Sequence, residues 1–182
     1  MHLNKSIVII LFALAAGCGP TRDDLFPSST DKRVVVEQNS TGPGVGQNAP
    51  GFSVTDTLGN PVSLVSLQTG SHAVVLYFTM WCPTCDGHMS YMMDTIMPAH
   101  PDIAFVAVDY VSGSVDDARN AQQDNGYANS GFIVVADTAH AIQNAYKGTM
   151  GTTVVIDKSG VIGMNEDFKN GAKLMNILDT LP

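Results

Sequence analysis

Cys82 and Cys85, with Pro83 and Thr84 between them, are the residues of this chain best suited to do chemistry. Thiols at that spacing on a helix lie one turn apart on the same face, within reach of a disulfide. Such a pair can exchange its disulfide with other thiols, or it can ligate a soft metal. The run Ala73-Val74-Val75-Leu76-Tyr77-Phe78 precedes it and predicts a buried strand, being short, β-branched and aromatic without a charge. Asp86 to Met97 follows with helical spacing and stops before Pro98. The pair therefore sits at a strand-to-helix junction. Cys82 is the predicted N-cap, and Pro83 takes the first helical position, where a missing N–H costs nothing. The first N–H groups of that helix point at the Cys82 sulfur, and the helix dipole favours negative charge there.

Three readings fit the residue types alone: a redox-active pair, a buried structural disulfide, or half of a zinc site. No second C-x-x-C exists, so a closed zinc site would need His ligands. Acidic residues outnumber basic ones 17 to 9, for a net charge of −8, and no basic patch is visible. That balance excludes nucleic acid as an expected partner. No apolar run is long enough for an ordinary transmembrane helix.

The elements that must position the thiols read as alternating strands and helices. Ala49 to Leu64 predicts two short strands around a Leu58-Gly59-Asn60-Pro61 turn. Strands are predicted at Ile103–Asp109, Phe132–Val135, Thr152–Ile156 and Val161–Met164, the last two joined by the turn Asp157-Lys158-Ser159-Gly160. Helices are predicted over Ser114–Asn125, with Ser114 as N-cap, over Thr138–Tyr146, and over Gly171–Leu181 with an apolar face. This α/β order implies a mainly parallel central sheet, helices on both faces, and an added N-terminal β-hairpin.

The first residues read as an export signal. Lys5 supplies the positive start and Ile7 to Ala16 a short apolar stretch, too short to span a bilayer. Leu14-Ala15-Ala16-Gly17-Cys18 resembles a bacterial lipobox, which implies cleavage before Cys18 and lipid on its sulfur. An ordinary secretory signal is the alternative. The expected organisation is a lipoprotein signal peptide over 1–17, a flexible polar tether over 18–44 and the folded domain over 45–182. Gly19 stands where Asp retains such proteins at the inner membrane, which favours the outer membrane. With Cys18 set aside, the remaining two of the three cysteines are the C-x-x-C pair. An exported protein without another disulfide points that pair to redox work.

Trp81-Cys82-Pro83-Thr84-Cys85 after an apolar strand and before a helix resembles the redox site of the thioredoxin superfamily. Ala49-Pro50-Gly51-Phe52, Asp56, Gly59 and Val62-Ser63-Leu64 resemble the N-terminal hairpin of its redoxin and TlpA-like branch. The resemblance implies a thioredoxin-like fold and an extracytoplasmic thiol–disulfide oxidoreductase, a reductase, with no cofactor beyond its own disulfide. Cys82 would attack a substrate disulfide and Cys85 would resolve the mixed disulfide. Trp81 would shape the surface beside the sulfur, and the loop Met150-Gly151-Thr152 would receive the partner chain. Partners would be protein thiols in the periplasm and an upstream reductant such as a membrane electron-transfer protein.

The chain departs from that pattern at several positions. Gly151 stands where the family has a cis-proline, and the Met150–Gly151 bond is expected to be trans. Leu76 stands where thioredoxins carry Asp. His88 stands where TlpA-like reductases often carry Glu, and a His there can take the Cys85 proton. Met89, Met92, Met93 and Met97 follow at helical spacing, which fits core packing. With Met80 nearby, Cys82, Cys85, His88 and Met89 also form a soft-ligand cluster, so a Cu(I)-handling protein is the alternative reading. Thr79 and Cys82 superficially match a peroxiredoxin loop, but Val75 and a distant Arg119 do not. Asp86, rather than His, after Cys85 excludes haem attachment.

Overall fold

The computed structural model of the chain describes residues 36, 37 and 39–181. The expected signal peptide with Cys18 lies outside them, as does most of the expected tether. The hairpin forms as predicted, from β1 (Ser53–Thr55) and β2 (Pro61–Ser63). Asp56 closes its turn by accepting the N–H groups of Leu58 and Asn60 at 2.9 and 2.7 Å. Ser63 then caps α1 (Leu64–Gly70) in a reciprocal capping box with Ser66. Apolar periodicity alone does not predict this short helix.

The remaining elements follow the predicted order: β3 (Ala73–Thr79), α2 (Pro83–Tyr91), α3 (Met97–Ala99), β4 (Ile103–Asp109), α4 (Val115–Asp124), β5 (Ile133–Ala136), α5 (Ala141–Tyr146), β6 (Thr152–Ile156), β7 (Ile162–Asp167) and α6 (Ala172–Asp179). Helix α2 does not end before Pro98. It runs through a π-helical stretch, Met92–Ile96, into α3, with the Met97 N–H bonded to the Met92 carbonyl. Pro98 has no N–H for the carbonyl four residues back and its ring crowds it; the wider turn accommodates both.

The sheet has the order β5-β4-β3-β6-β7. It is mixed rather than mainly parallel: β3–β4 and β4–β5 are parallel, β3–β6 and β6–β7 antiparallel. The reason lies in α5. Its six residues rise only about 9 Å, too little to return the chain to the far end of the sheet, where a parallel strand would start. So β6 enters from the end where β3 finishes.

Strand alternation sorts β3 between two cores. Ala73, Val75 and Tyr77 face α2 and α6, packing with Cys85, Met89, Met92, Ile96, Leu174 and Leu178. Val74, Leu76 and Phe78 face α1 and α5, packing with Leu64, Leu67, Ile142 and Tyr146. Both sheet flanks carry extra pairing. Asp56 bridges to Val135 of β5, while Gly46 and Gln47 exchange backbone bonds with Ile162 of β7. The end of the expected tether joins this pairing. Asn48 N–H bonds to the Ser40 carbonyl at 2.9 Å, and Asn165 Nδ2 to the Pro43 carbonyl at 2.9 Å.

Candidate active site

The predicted strand-to-helix junction is present. Between β3 and α2 the chain makes its turn at Trp81, whose φ of +57° is left-handed. That conformation costs a non-glycine residue about 1–2 kcal/mol. Two bonds hold it: Trp81 N–H to Thr79 Oγ1 at 3.1 Å, and the indole Nε1–H to Asp109 Oδ2 at 2.7 Å. Asp109 is fully buried at the end of β4, in register with Thr79. It also accepts the N–H groups of Val111 and Ser112 and the Ser112 hydroxyl, at 3.0, 2.9 and 2.6 Å. One carboxylate thus fixes both the tryptophan and the loop after β4. Asp109→Ala orphans all four donors and is expected to cost about 2–4 kcal/mol. Urea unfolding measures that cost, and emission from the single tryptophan should shift toward that of a solvated indole. Unchanged emission would show that Asp109 does not hold Trp81.

Cys82 is the N-cap of α2 and Pro83 follows in its first turn. The Cys85 N–H bonds to Cys82 Sγ at 3.2 Å, and the two sulfurs lie 2.7 Å apart. Cys85 is fully buried, Cys82 half-buried, and Pro83 and Thr84 exposed. The two thiols are thus chemically unequal. Burial pushes the Cys85 thiol up, but hydrogen bonds with Cys82, with the Met80 and Cys82 backbone and with Thr79 outweigh it. Its pKa lies below that of an ordinary thiol. The Cys85 N–H offers a donor to negative charge on Cys82.

Below the pair lies Tyr77. Its hydroxyl is 3.0 Å from His88 Nδ1, and its ring shares the buried cluster with Cys85. Burial first, then the nearby Cys85, raises the Tyr77 pKa far above that of a free phenol. Burial also lowers the pKa of His88, whose ring centroid lies 4.5 Å from that of Phe168. On the other side, Tyr127 donates to Asp86 Oδ1 at 2.6 Å, bonds Ser90 at 3.0 Å and stands beside Trp81, pinning the first turn of α2. Burial, then Asp86, pushes the Tyr127 pKa up to about 12.

The sequence profile of the family described as Redoxin matches residues 44–176. The chain belongs to the redoxin family. It is 27% identical over 158 residues to the thiol-disulfide oxidoreductase ResA of Bacillus thuringiensis (strain Al Hakam), covering 85% of this chain and 82% of that protein. Its fold resembles a putative protein disulfide isomerase from Bacteroides thetaiotaomicron, with a TM-score of 0.62 and 24% identity over 75% of this chain and 86% of the other. It also resembles a secreted disulfide oxidoreductase of Mycobacterium tuberculosis, with a TM-score of 0.56 and 20% identity over 71% of this chain and 96% of the other. Both likenesses are of fold. The thioredoxin-like α/β class expected from the sequence is the class observed.

Within this redoxin domain the loop before β6 takes a form of its own. No peptide bond among the described residues is cis, and Gly151 has φ of +84°. Its N–H bonds to the Phe78 carbonyl at 3.0 Å, and its carbonyl accepts the Phe168 N–H at 2.8 Å. Thr152 N–H bonds to the Thr149 carbonyl at 2.9 Å. Gly151 and Thr152 are buried and internally paired, so Met150 is the exposed residue of the three. Glycine is here because the loop requires a left-handed residue.

The methionines divide. Met89 and Met92 are fully buried, Met93 and Met97 pack against the same core, and Met80 is exposed. His88 Nδ1 already faces Tyr77. Among the described residues no three His, Cys, Asp or Glu side chains cluster in a way that could hold a metal ion. Leu76 lies on the sheet face away from Cys85. The polar group beneath the thiols is instead Tyr77, which sequence reasoning placed only in a strand. The signal was there: an inward-facing tyrosine in a strand otherwise aliphatic up to Phe78, on the same strand face as Ala73 and Val75.

Proposed function

We propose that this chain exchanges disulfides with protein thiols outside the cytoplasm, through a mixed disulfide on Cys82. It is an enzyme of the thiol–disulfide oxidoreductase class, in keeping with its redoxin family and its oxidoreductase relatives. The observation that carries the residue-level reading is the asymmetry of the pair. The half-exposed Cys82 sulfur accepts an N–H at 3.2 Å, and the buried Cys85 sulfur waits 2.7 Å away. An exposed sulfur that stabilises charge can attack, and a buried neighbour can reach only the intermediate that results. Trp81, Pro83 and Thr84 border the attacking sulfur. Exposed Met80, Val111 and Met150 offer apolar contact to an incoming polypeptide around it.

The reading places the protein at the periplasmic side of a membrane, the outer one favoured by Gly19, with Cys18 lipidated and an upstream thiol reductant restoring the dithiol. The purified protein should form a Cys82–Cys85 disulfide in glutathione buffers and should reduce insulin with dithiothreitol as electron source. No turnover with any disulfide and reductant would sink the redox reading. The anchor has its own test. Expressed with its signal, the protein should enter the detergent phase of a cloud-point separation, and Cys18→Ala should remain in the aqueous phase. Wild-type protein that stays aqueous, cut at another site, rules the lipid anchor out.

A further inference from the structure

The turn that carries Cys82 has little of its own to hold it. At the start of α2, Pro83, Thr84, Asp86 and Gly87 are exposed, and only Cys85 is buried. Gly87 is a poor helix former. A Cβ there would meet nothing within 4 Å, so close packing does not call for glycine. The Asp86 N–H closes the turn on the Cys82 carbonyl at 2.9 Å. The bond from the Cys85 N–H to Cys82 Sγ at 3.2 Å depends on that turn keeping its shape.

A tyrosine from a distant segment takes hold of it. Tyr127 lies between α4 and β5 and is buried. Its hydroxyl donates to Asp86 Oδ1 at 2.6 Å and lies 3.1 Å from the Asp86 carbonyl oxygen. With its proton given to Asp86, the oxygen is left to accept from the Ser90 hydroxyl at 3.0 Å, one helical turn further on. Burial, then the bond to Asp86, push the Tyr127 pKa up to about 12, so the hydroxyl stays a donor at neutral pH.

Tyr127 is itself fixed from a third segment. Its N–H bonds to the Gln122 carbonyl at 2.9 Å, and Gln122 Nε2 donates to the Tyr127 carbonyl at 3.0 Å. Gln122 Oε1 in turn accepts the Thr57 hydroxyl at 2.6 Å. Gln122 and Thr57 are both buried, and Thr57 belongs to the turn of the N-terminal hairpin, between β1 and β2. The Tyr127 ring packs beside Trp81 and Phe132, with centroids 6.2 and 6.4 Å away. A buried polar chain thus runs from the hairpin turn through α4 to the helix that carries the thiols.

We propose that Tyr127 is a positioning residue for attack by Cys82: its hydroxyl, fixed from the hairpin turn through Gln122, clamps the start of α2 where the Cys85 N–H meets the Cys82 sulfur. The proposal rests on the redox reading above and adds what holds the attacking thiol in its reactive setting. In that attack Cys82 gives its proton to water and its sulfur bonds to one sulfur of the partner disulfide. The partner's S–S bond breaks, and the other partner sulfur leaves with the electron pair as thiolate. Tyr127 touches none of these atoms. It acts through the backbone N–H that favours negative charge on Cys82.

The test compares wild type with Tyr127→Phe, which removes one oxygen and keeps the ring. The reduced proteins should be alkylated with iodoacetamide at neutral pH, and the modification followed at Cys82 by peptide mass spectrometry. Tyr127→Phe should slow alkylation about threefold, within the range of one hydrogen bond. In glutathione buffers its Cys82–Cys85 pair should shift toward the disulfide by about the same factor, which is about 14 mV at 29.6 mV per tenfold change. In an Asp86→Asn background the loss caused by Tyr127→Phe should persist, because an amide oxygen still accepts the hydroxyl proton. A loss that disappears there belongs to the carboxylate's charge and overturns the positioning role. So does an alkylation rate in Tyr127→Phe equal to wild type or faster, or an unmoved glutathione equilibrium. Should Tyr127→Phe fail to fold, as circular dichroism would show, Ser90→Ala removes the other partner of the same oxygen and decides by the same two readings. A wild-type pair that forms no disulfide in glutathione fails the redox reading itself. A pair that forms one, with equal rates and equilibria in both proteins, fails the clamp only.

Discussion

Cys82→Ser is expected to abolish disulfide exchange, a loss of at least about 10³-fold, because a hydroxyl cannot replace the sulfur that forms the covalent intermediate. Cys85→Ser should behave differently. It leaves the half-exposed Cys82 sulfur in place and still supplies the backbone N–H that meets it at 3.2 Å. Attack should therefore proceed and stop at a mixed disulfide. Incubated with an oxidised protein substrate, this variant should accumulate a covalent complex, visible on a non-reducing gel and released by dithiothreitol. Cys82→Ser should give none. If the complexes form with Cys82→Ser instead, the roles are reversed and burial does not decide which thiol attacks.

Gly151→Pro is the second large effect. Proline stands at this position in the pattern the chain resembles, so the substitution looks harmless from sequence. The structure predicts the opposite. Gly151 has φ of +84°, which a proline ring cannot reach, and its N–H bonds to the Phe78 carbonyl at 3.0 Å, which proline cannot do. A loss of about 3–5 kcal/mol is expected from the missing bond and the forced rearrangement. Gly151→Ala isolates the conformational part. Its Cβ would meet only the His88 ring, at an ordinary 3.7 Å, so its cost should be about 1–2 kcal/mol. Urea unfolding of the three proteins gives the ranking. Wild-type stability for Gly151→Pro would show that the loop readily adopts the family's form.

Much of the site was legible because its signals are local. Cys82 and Cys85 at helical spacing, Pro83 inside the helix start and an uncharged apolar run before them place the thiols on one face of α2, whatever surrounds them. Strand β6 and its turn with β7 were legible for the same reason: β-branched residues and Asp157-Lys158-Ser159-Gly160 act over a few residues. The direction of β6 was not, because it depends on how far a short α5 carries the chain across the sheet. Nor was α1, which is set by two serines capping each other rather than by an apolar stripe. The methionine spacing suggested a single face, but the π-helical stretch before Pro98 changes the register within the core. The absence of proline at 151 was visible in the sequence; the left-handed backbone that requires glycine was not. The chain determined by itself which residues could carry sulfur chemistry. Only the tertiary structure decided which polar groups surround the thiols. Tyr77, Asp109 and Tyr127 reach His88, Trp81 and Asp86 beside the pair from three separate segments, and contacts between distant segments follow from packing that no local pattern encodes.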